Sequence, residues 1–228
     1  MARFCQNYAV DSTGILVGMD YTQSFDVCVS DKHLFVFAAN LQKKGKFNPL
    51  RKFITPIVTE LAPFLIREHQ VIYLRDITKL CIDRKYTVGN TFENEIRIAV
   101  PEWPAEEQYL RASIFHEMHH LARWQTVGYG QTLGEAMLSE GFATWYEMER
   151  TGLVQPWSQA SVSEEIKKKA REEWDNSPYG HNNWFYKGTM GRWVGYTLGY
   201  NLVRAYLNNT FDLSKSLWTK AEEVRNLL

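Results

Sequence analysis

Thiol chemistry has little to draw on in this chain of 228 residues, whose three cysteines, Cys5, Cys28 and Cys81, are odd in number, far apart and never in a C-x-x-C pair. That argues against a disulfide framework and a thiolate metal site, and it predicts small apolar fillers of the interior in a reduced, cytoplasmic protein. Net charge is missing too, with 26 basic and 26 acidic residues and no basic stripe, so the electrostatic grip that nucleic acid requires is not expected. No run reaches the roughly 18 apolar residues that span a bilayer. Residues 1–30 contain Asp11, Asp20 and Asp26 and build no apolar stretch after a basic start, so no secretory leader is visible. Repeats, low-complexity tracts and Gly/Ser-rich linkers are lacking as well. The expectation is one domain over residues 1–228, its segment 1–45 poorly determined, with neither nucleic acid nor membrane as partner and an open oligomeric state.

Apolar side chains make up 45% of the chain, with 8 Trp, 12 Tyr and 12 Phe, enough for one substantial core. Near the start, Gly14-Ile-Leu-Val-Gly18 and Leu34-Phe-Val-Phe-Ala38 suit strands or a hairpin, and Lys43, Lys44 and Lys46 around Gly45 suit a solvated connector. Asn48-Pro49 offers a helix cap and first position. Pro56 and Pro63 lie further on, which favours a helix that begins at Thr55-Pro56 and kinks at Pro63. Residues 71–77 and 94–100 read as strands, the second alternating Ile96, Ile98 and Val100 with Glu95, Arg97 and Ala99, and Gly89-Asn90 reads as a turn between them. After Pro101 and Pro104 the pattern is helical, with breaks at 128–130, 152–158 and 176–180. Glu164 with Lys168 and Glu165 with Lys169 describe a solvated helix face. The class is α+β, mostly helical, with a small sheet above a central helix.

That helix carries Ile114-Phe-His-Glu-Met-His-His120 and with it the spacing H-E-x-x-H. At about 100° per residue His116, Glu117 and His120 share one arc, while Ile114, Met118 and Leu121 lie opposite. Two imidazoles one turn apart can reach a single zinc ion, and the glutamate beside them can take a proton from water that the ion has acidified. The bland alternative for so short a pattern is a helix with exposed or core histidines. His119 lies about 60° from His116 and could in principle replace it or His120 as a ligand, but a partially buried hydrogen-bonding neighbour is the preferred reading.

Thr132-x-x-Glu135 forms a capping box, and the helix it starts runs to about residue 150. Glu140 lies on it, twenty positions beyond His120, with room for a turn at 128–130 and an antiparallel return, so an acidic third ligand there is geometrically reasonable. Glu147, about 20° away and two turns further on, is the rival ligand. Gly141 favours Glu140 by allowing the two helices to approach. Stabilising an oxyanion also needs a donor, for which Tyr196, Tyr200, Arg192 and His181 are available and Tyr196 is preferred. A tyrosine packed in a helix interface is the competing reading of each.

His116-Glu-Met-His-His-Leu-Ala-Arg-Trp124, Thr132-Leu-Gly-Glu-Ala136, Ser139-Glu-Gly-Phe-Ala143 and Arg192-Trp-Val-Gly-Tyr-Thr-Leu-Gly-Tyr200 together resemble the gluzincin metallopeptidases. More narrowly they resemble an uncharacterised bacterial family of predicted zinc-dependent proteases, over roughly residues 95–207. The resemblance implies zinc on His116, His120 and Glu140, Glu117 as general base, a peptide or protein substrate, and a zincin-like fold with a strand at 94–100 along the rim of the cleft. Many gluzincins place an acid four residues after the glutamate ligand to support the site from behind. This chain has Thr144 there. Two other functions remain open: a zinc-binding protein without turnover, and hydrolysis of a non-peptide amide or ester.

Overall fold

A computed structural model describes residues 21–39, 47–76, 87–100, 107–186 and 188–228. Five strands, β1 (Tyr21–Val29), β2 (Lys32–Ala39), β3 (His69–Asp76), β4 (Val88–Thr91) and β5 (Glu95–Val100), form one sheet in the order β1-β2-β3-β5-β4. β1 pairs antiparallel with β2, and β4 with β5, whereas β2, β3 and β5 run parallel. A parallel pair needs a long crossover, and between β2 and β3 it is supplied by helix α1 (Phe47–Leu61).

Strand alternation aims Leu34, Val36, Ile72, Leu74, Ile96 and Ile98 at one face, where they pack with Ile54, Ile57 and Leu61 of α1. Against the same face lies α2 (Glu107–Thr126), through the stripe Leu110, Ile114, Met118 and Leu121. Gln125 fixes the far end of that helix. Its side-chain oxygen accepts from the Ile66 and Arg67 amides at 2.9 and 3.1 Å, and its amide donates to Gln70 and to the Glu93 carbonyl, each at 2.9 Å. A second apolar cluster joins α3 (Leu133–Thr151) to α5 (Val194–Tyr206) around Trp174 and Trp184, with α4 (Glu164–Glu172) packed on it through Ala170 and α6 (Leu213–Trp218) and α7 (Ala221–Val224) closing the chain. The mostly helical α+β class holds. Among the described residues no helix is long and apolar enough to cross a membrane.

Several expectations need correction. α1 starts at Phe47, near Asn48-Pro49, and continues through Pro56, while Pro63 falls in a short 3-10 turn after its end. Proline lacks only one donor and clashes with one upstream carbonyl, and the apolar stripe of α1 on the sheet outweighs that cost. Gly89-Asn90 is not a turn but part of β4, and the chain reverses at residues 92–94 instead. Strand 94–100 is therefore not the rim strand, because β4 pairs outside β5 and forms that edge. On α4 the ion pairs join Glu164 to Lys167, Lys168 to Glu172 and Lys169 to Glu173, not the pairs expected. Cys28 is exposed. Residues 14–18 and 43–46, Cys5, Cys81, Pro101 and Pro104 lie outside the described residues.

α3 and α5 approach until their backbones nearly touch. A Cβ on Gly141 would lie 2.3 Å from the Gly199 carbonyl oxygen, and one on Gly199 would lie 2.0 Å from that of Met137. Gly199→Ala should therefore lower unfolding stability by about 1–3 kcal/mol, the usual cost of overpacking a core, as read from urea denaturation.

Candidate active site

A helix buried along its length is ordinarily apolar all round. α2 instead buries His116, Glu117, His119, His120 and Arg123. The Arg123 guanidinium is held by the Ser139 hydroxyl at 3.1 Å and by the Ser216 and Thr219 carbonyls at 2.6 and 2.7 Å. Burial lowers its pKa from 12.5 to about 10, so it stays charged at neutral pH and ties α2 to α3 and α6. His119 contacts the Ser216 hydroxyl at 2.9 Å, and burial drives its pKa well below the usual imidazole range. It is a neutral hydrogen-bonding residue outside the group that His116, His120 and Glu140 form, in keeping with the preferred reading of the sequence.

His116 and His120, one turn apart, bring their Nε2 atoms to 3.0 Å from each other. A short turn leads into α3, where the Thr132–Glu135 capping box fixes the first residues, and α3 carries Glu140 back across the same space. Its Oε2 lies 3.1 Å from His116 Nε2 and 3.3 Å from His120 Nε2. The three buried donors all lie within 4.8 Å of one another. An ion that holds its ligands at roughly 2.0–2.1 Å in a tetrahedron sets neighbouring donors about 3.3 Å apart. The donor set fits zinc in both chemistry and spacing.

The surroundings hold these groups in place. Tyr129, from the turn between the helices, donates to the other Glu140 oxygen at 2.7 Å and stacks on Trp124. Glu147 stays outside the converging group and puts Oε2 3.5 Å from His116 Nδ1. It thus stands behind the ring, the place of support that Thr144, whose buried hydroxyl makes no hydrogen bond, does not take. Burial works against a charged His116, yet Glu147 and Glu140 outweigh it and hold the ring well above the usual imidazole range. Burial likewise opposes ionisation of Glu140, but His120 and His116 overcome it and keep the carboxyl well below the usual carboxylate range. For Glu147 burial prevails and its pKa is raised.

Glu117 points elsewhere. Its Oε2 accepts from Thr91 of β4 at 2.6 Å, and its carboxyl lies so close to Gly89 that a Cβ there would fall 2.1 Å from Oε1. The missing side chain at Gly89 is thus what lets the edge strand meet the carboxylate. A cleft runs on from here, lined by Gly89, His116, Glu117, Trp157, Trp193 and Tyr196. Burial raises the Tyr196 hydroxyl far above the usual phenol range, with Tyr186 and Glu140 adding to the effect, so it is a neutral donor. Tyr200 is buried in the second apolar cluster and Arg192 is exposed, stacked on Trp193, so neither lines this cleft. Sequence reasoning named neither Tyr129, Thr91 nor Tyr186 as part of the site. Tyr129, between the two glycines of the turn that joins both ligand-bearing helices, carried the one usable signal.

Residues 51–226 match the family model described as Predicted Zn-dependent protease (DUF2268). The chain belongs to this family of predicted zinc-dependent proteases. The fold is also similar to that of a solved aminopeptidase N family protein from Idiomarina loihiensis, with a TM-score of 0.56 and 8% identity over 90% of this chain. The matched part is 40% of that protein's length, and the likeness shows the fold alone. No curated protein matches. Family and fold both agree with the gluzincin resemblance of the sequence.

In the zinc-free protein the His116 ring should titrate above its ordinary value of 6.5. A raised folded pKa contributes stability that is present at low pH and is lost as pH rises through the folded value. Glu147→Gln should bring the His116 titration down, as followed by NMR of the ring carbons.

Proposed function

We propose that this protein is a zinc-dependent hydrolase, most simply a peptidase, with His116, His120 and Glu140 as the metal ligands and Glu117 as the general base. The observation that carries the reading is the convergence of two imidazole nitrogens and one carboxylate oxygen in a buried space, with a second carboxylate beside them that faces an open cleft. Zinc bound there would acidify a water molecule toward a pKa of about 7 and polarise the carbonyl under attack. Glu117 takes the proton of the attacking water and returns it to the leaving amine. Thr91 steers this carboxylate by its hydrogen bond, and Gly89 leaves it room. Tyr196 donates its hydroxyl proton as a hydrogen bond to the developing oxyanion. Glu147 and Tyr129 orient His116 and Glu140, a role in which carboxylate and hydroxyl partners commonly strengthen metal sites.

A protein that keeps zinc for structure alone usually fills all four positions with its own ligands. Here the converging group among the described residues has three members, which favours hydrolysis. Cleavage of a non-peptide amide or ester would use the same residues, and a substrate panel separates it from proteolysis.

Glu117→Gln should retain zinc in equimolar amount while peptide cleavage falls by roughly 100- to 10,000-fold, the range for loss of a general base. A variant as fast as the parent would exclude the assignment. Gly89→Ala should displace the Glu117 carboxyl and cost about 100-fold in turnover, the scale of an ångström-sized misplacement, with zinc content unchanged. His116→Ala and Glu140→Ala should each lose the metal, as measured by elemental analysis after dialysis.

A further inference from the structure

The cleft that starts at Glu117 continues between four aromatic rings, of which the reaction above uses only the Tyr196 hydroxyl. Trp157, Tyr186, Trp193 and Tyr196 line it, and all four are half-buried. Their arrangement is interlocked. Trp157 meets Trp193 edge-on at 6.3 Å and leans on Tyr196 at 6.5 Å, and Phe185 braces Tyr196 from beneath at 5.1 Å. Trp157 is fixed at its main chain as well. Thr197 of α5 donates to the Trp157 carbonyl at 2.8 Å and accepts from the Ala160 amide at 2.9 Å, which fastens the main chain of the turn that carries Trp157.

Trp193 is more telling. It sits at φ 64°, in the left-handed region that a bulky residue rarely adopts. Nothing in the capping of α5 calls for tryptophan there, since the residue makes no side-chain cap, and glycine would take the same backbone without strain. A ring kept at such a cost, lining a cleft, is a feature that clusters at ligand clamps. Among the described residues, the charged groups that line the same space are His116, Glu117 and Glu147, and the nearby Arg192 guanidinium lies against Trp193 without lining it. A carboxylate brought into the cleft would meet like charge and lose its hydration without a cationic partner.

Resting on the hydrolase reading above, we propose that Trp157, Tyr186, Trp193 and Tyr196 form the subsite for an uncharged apolar or aromatic side chain next to the scissile bond. The rings offer offset and edge-to-face partners to an aromatic group, and the interlocked wall is preformed, which limits the ordering cost of binding.

Binding of zinc-chelating hydroxamates to the zinc-loaded protein, followed by calorimetry, tests this without relying on turnover. A phenylpropionyl hydroxamate should bind at least tenfold tighter than acetohydroxamate, and tighter than hydroxamates whose tails end in a carboxylate or an ammonium group. Trp157→Ala and Trp193→Gly, the second relieving the strained backbone, should each shrink that preference at least fivefold with zinc content unchanged. Equal binding of all tails to the parent, preference for a charged tail, or full preference in both variants would overturn the subsite while leaving the hydrolase reading intact. Failure of every hydroxamate to bind zinc-loaded parent protein would remove both.

Discussion

Three polar groups that would each be costly to bury alone are buried together, and this mutual dependence organises the rest of the molecule. An unpaired carboxylate or imidazolium in the interior is penalised by several kcal/mol, so Glu140 is tolerable between the helices because His116 and His120 face one of its oxygens and Tyr129 donates to the other. α2 must be deep enough to present both rings, and α3 must return close enough to deliver the acid. The first condition is met by the sheet, whose apolar face takes the stripe from Leu110 to Leu121, and the second by the short turn after α2 and the Thr132–Glu135 capping box that starts α3 on its return. Arg123, satisfied by carbonyl oxygens and the Ser139 hydroxyl, joins both helices to α6.

The sheet does more than shelter the helix. Its outermost strand, β4, brings Thr91 and Gly89 against Glu117, so the edge of the sheet and the candidate base share one boundary of the cleft. The opposite boundary is aromatic and comes from the turn at Trp157 and the start of α5. Tyr196 of α5 belongs to this aromatic boundary and also carries the hydroxyl that faces the cleft, so the two boundaries are not independent.

Much of this was legible because helical periodicity is short-ranged. His116, Glu117 and His120 lie within five residues, and 3.6 residues per turn suffices to place them on one side. The capping box at Thr132 and the turn at residues 128–130 likewise made the return of Glu140 readable, and Ile96, Ile98 and Val100 announced a strand by alternation. What escaped were facts of long-range pairing. That β4 lies outside β5 depends on which strand borders which, and no local pattern in Val88–Thr91 reports it. Gly89 looked like a turn because glycine is common in turns, whereas its cause is a carboxylate 28 positions away in sequence. Glu147 was weighed as a ligand from its angle on the helix, but only the packed structure shows it reaching the back of His116. The start of α1 was misjudged for a related reason, since tertiary burial overrode the local signal of Pro56.

The most direct test of the central claim is the X-ray absorption spectrum of zinc in the purified, metal-loaded protein. Convergence of His116, His120 and Glu140 predicts two imidazole nitrogens and oxygen donors at about 2.0–2.1 Å with no sulfur near 2.3 Å, and loss of one imidazole contribution in His120→Ala. A spectrum showing sulfur ligation, or one unchanged by that substitution, would place the metal elsewhere and contradict the account.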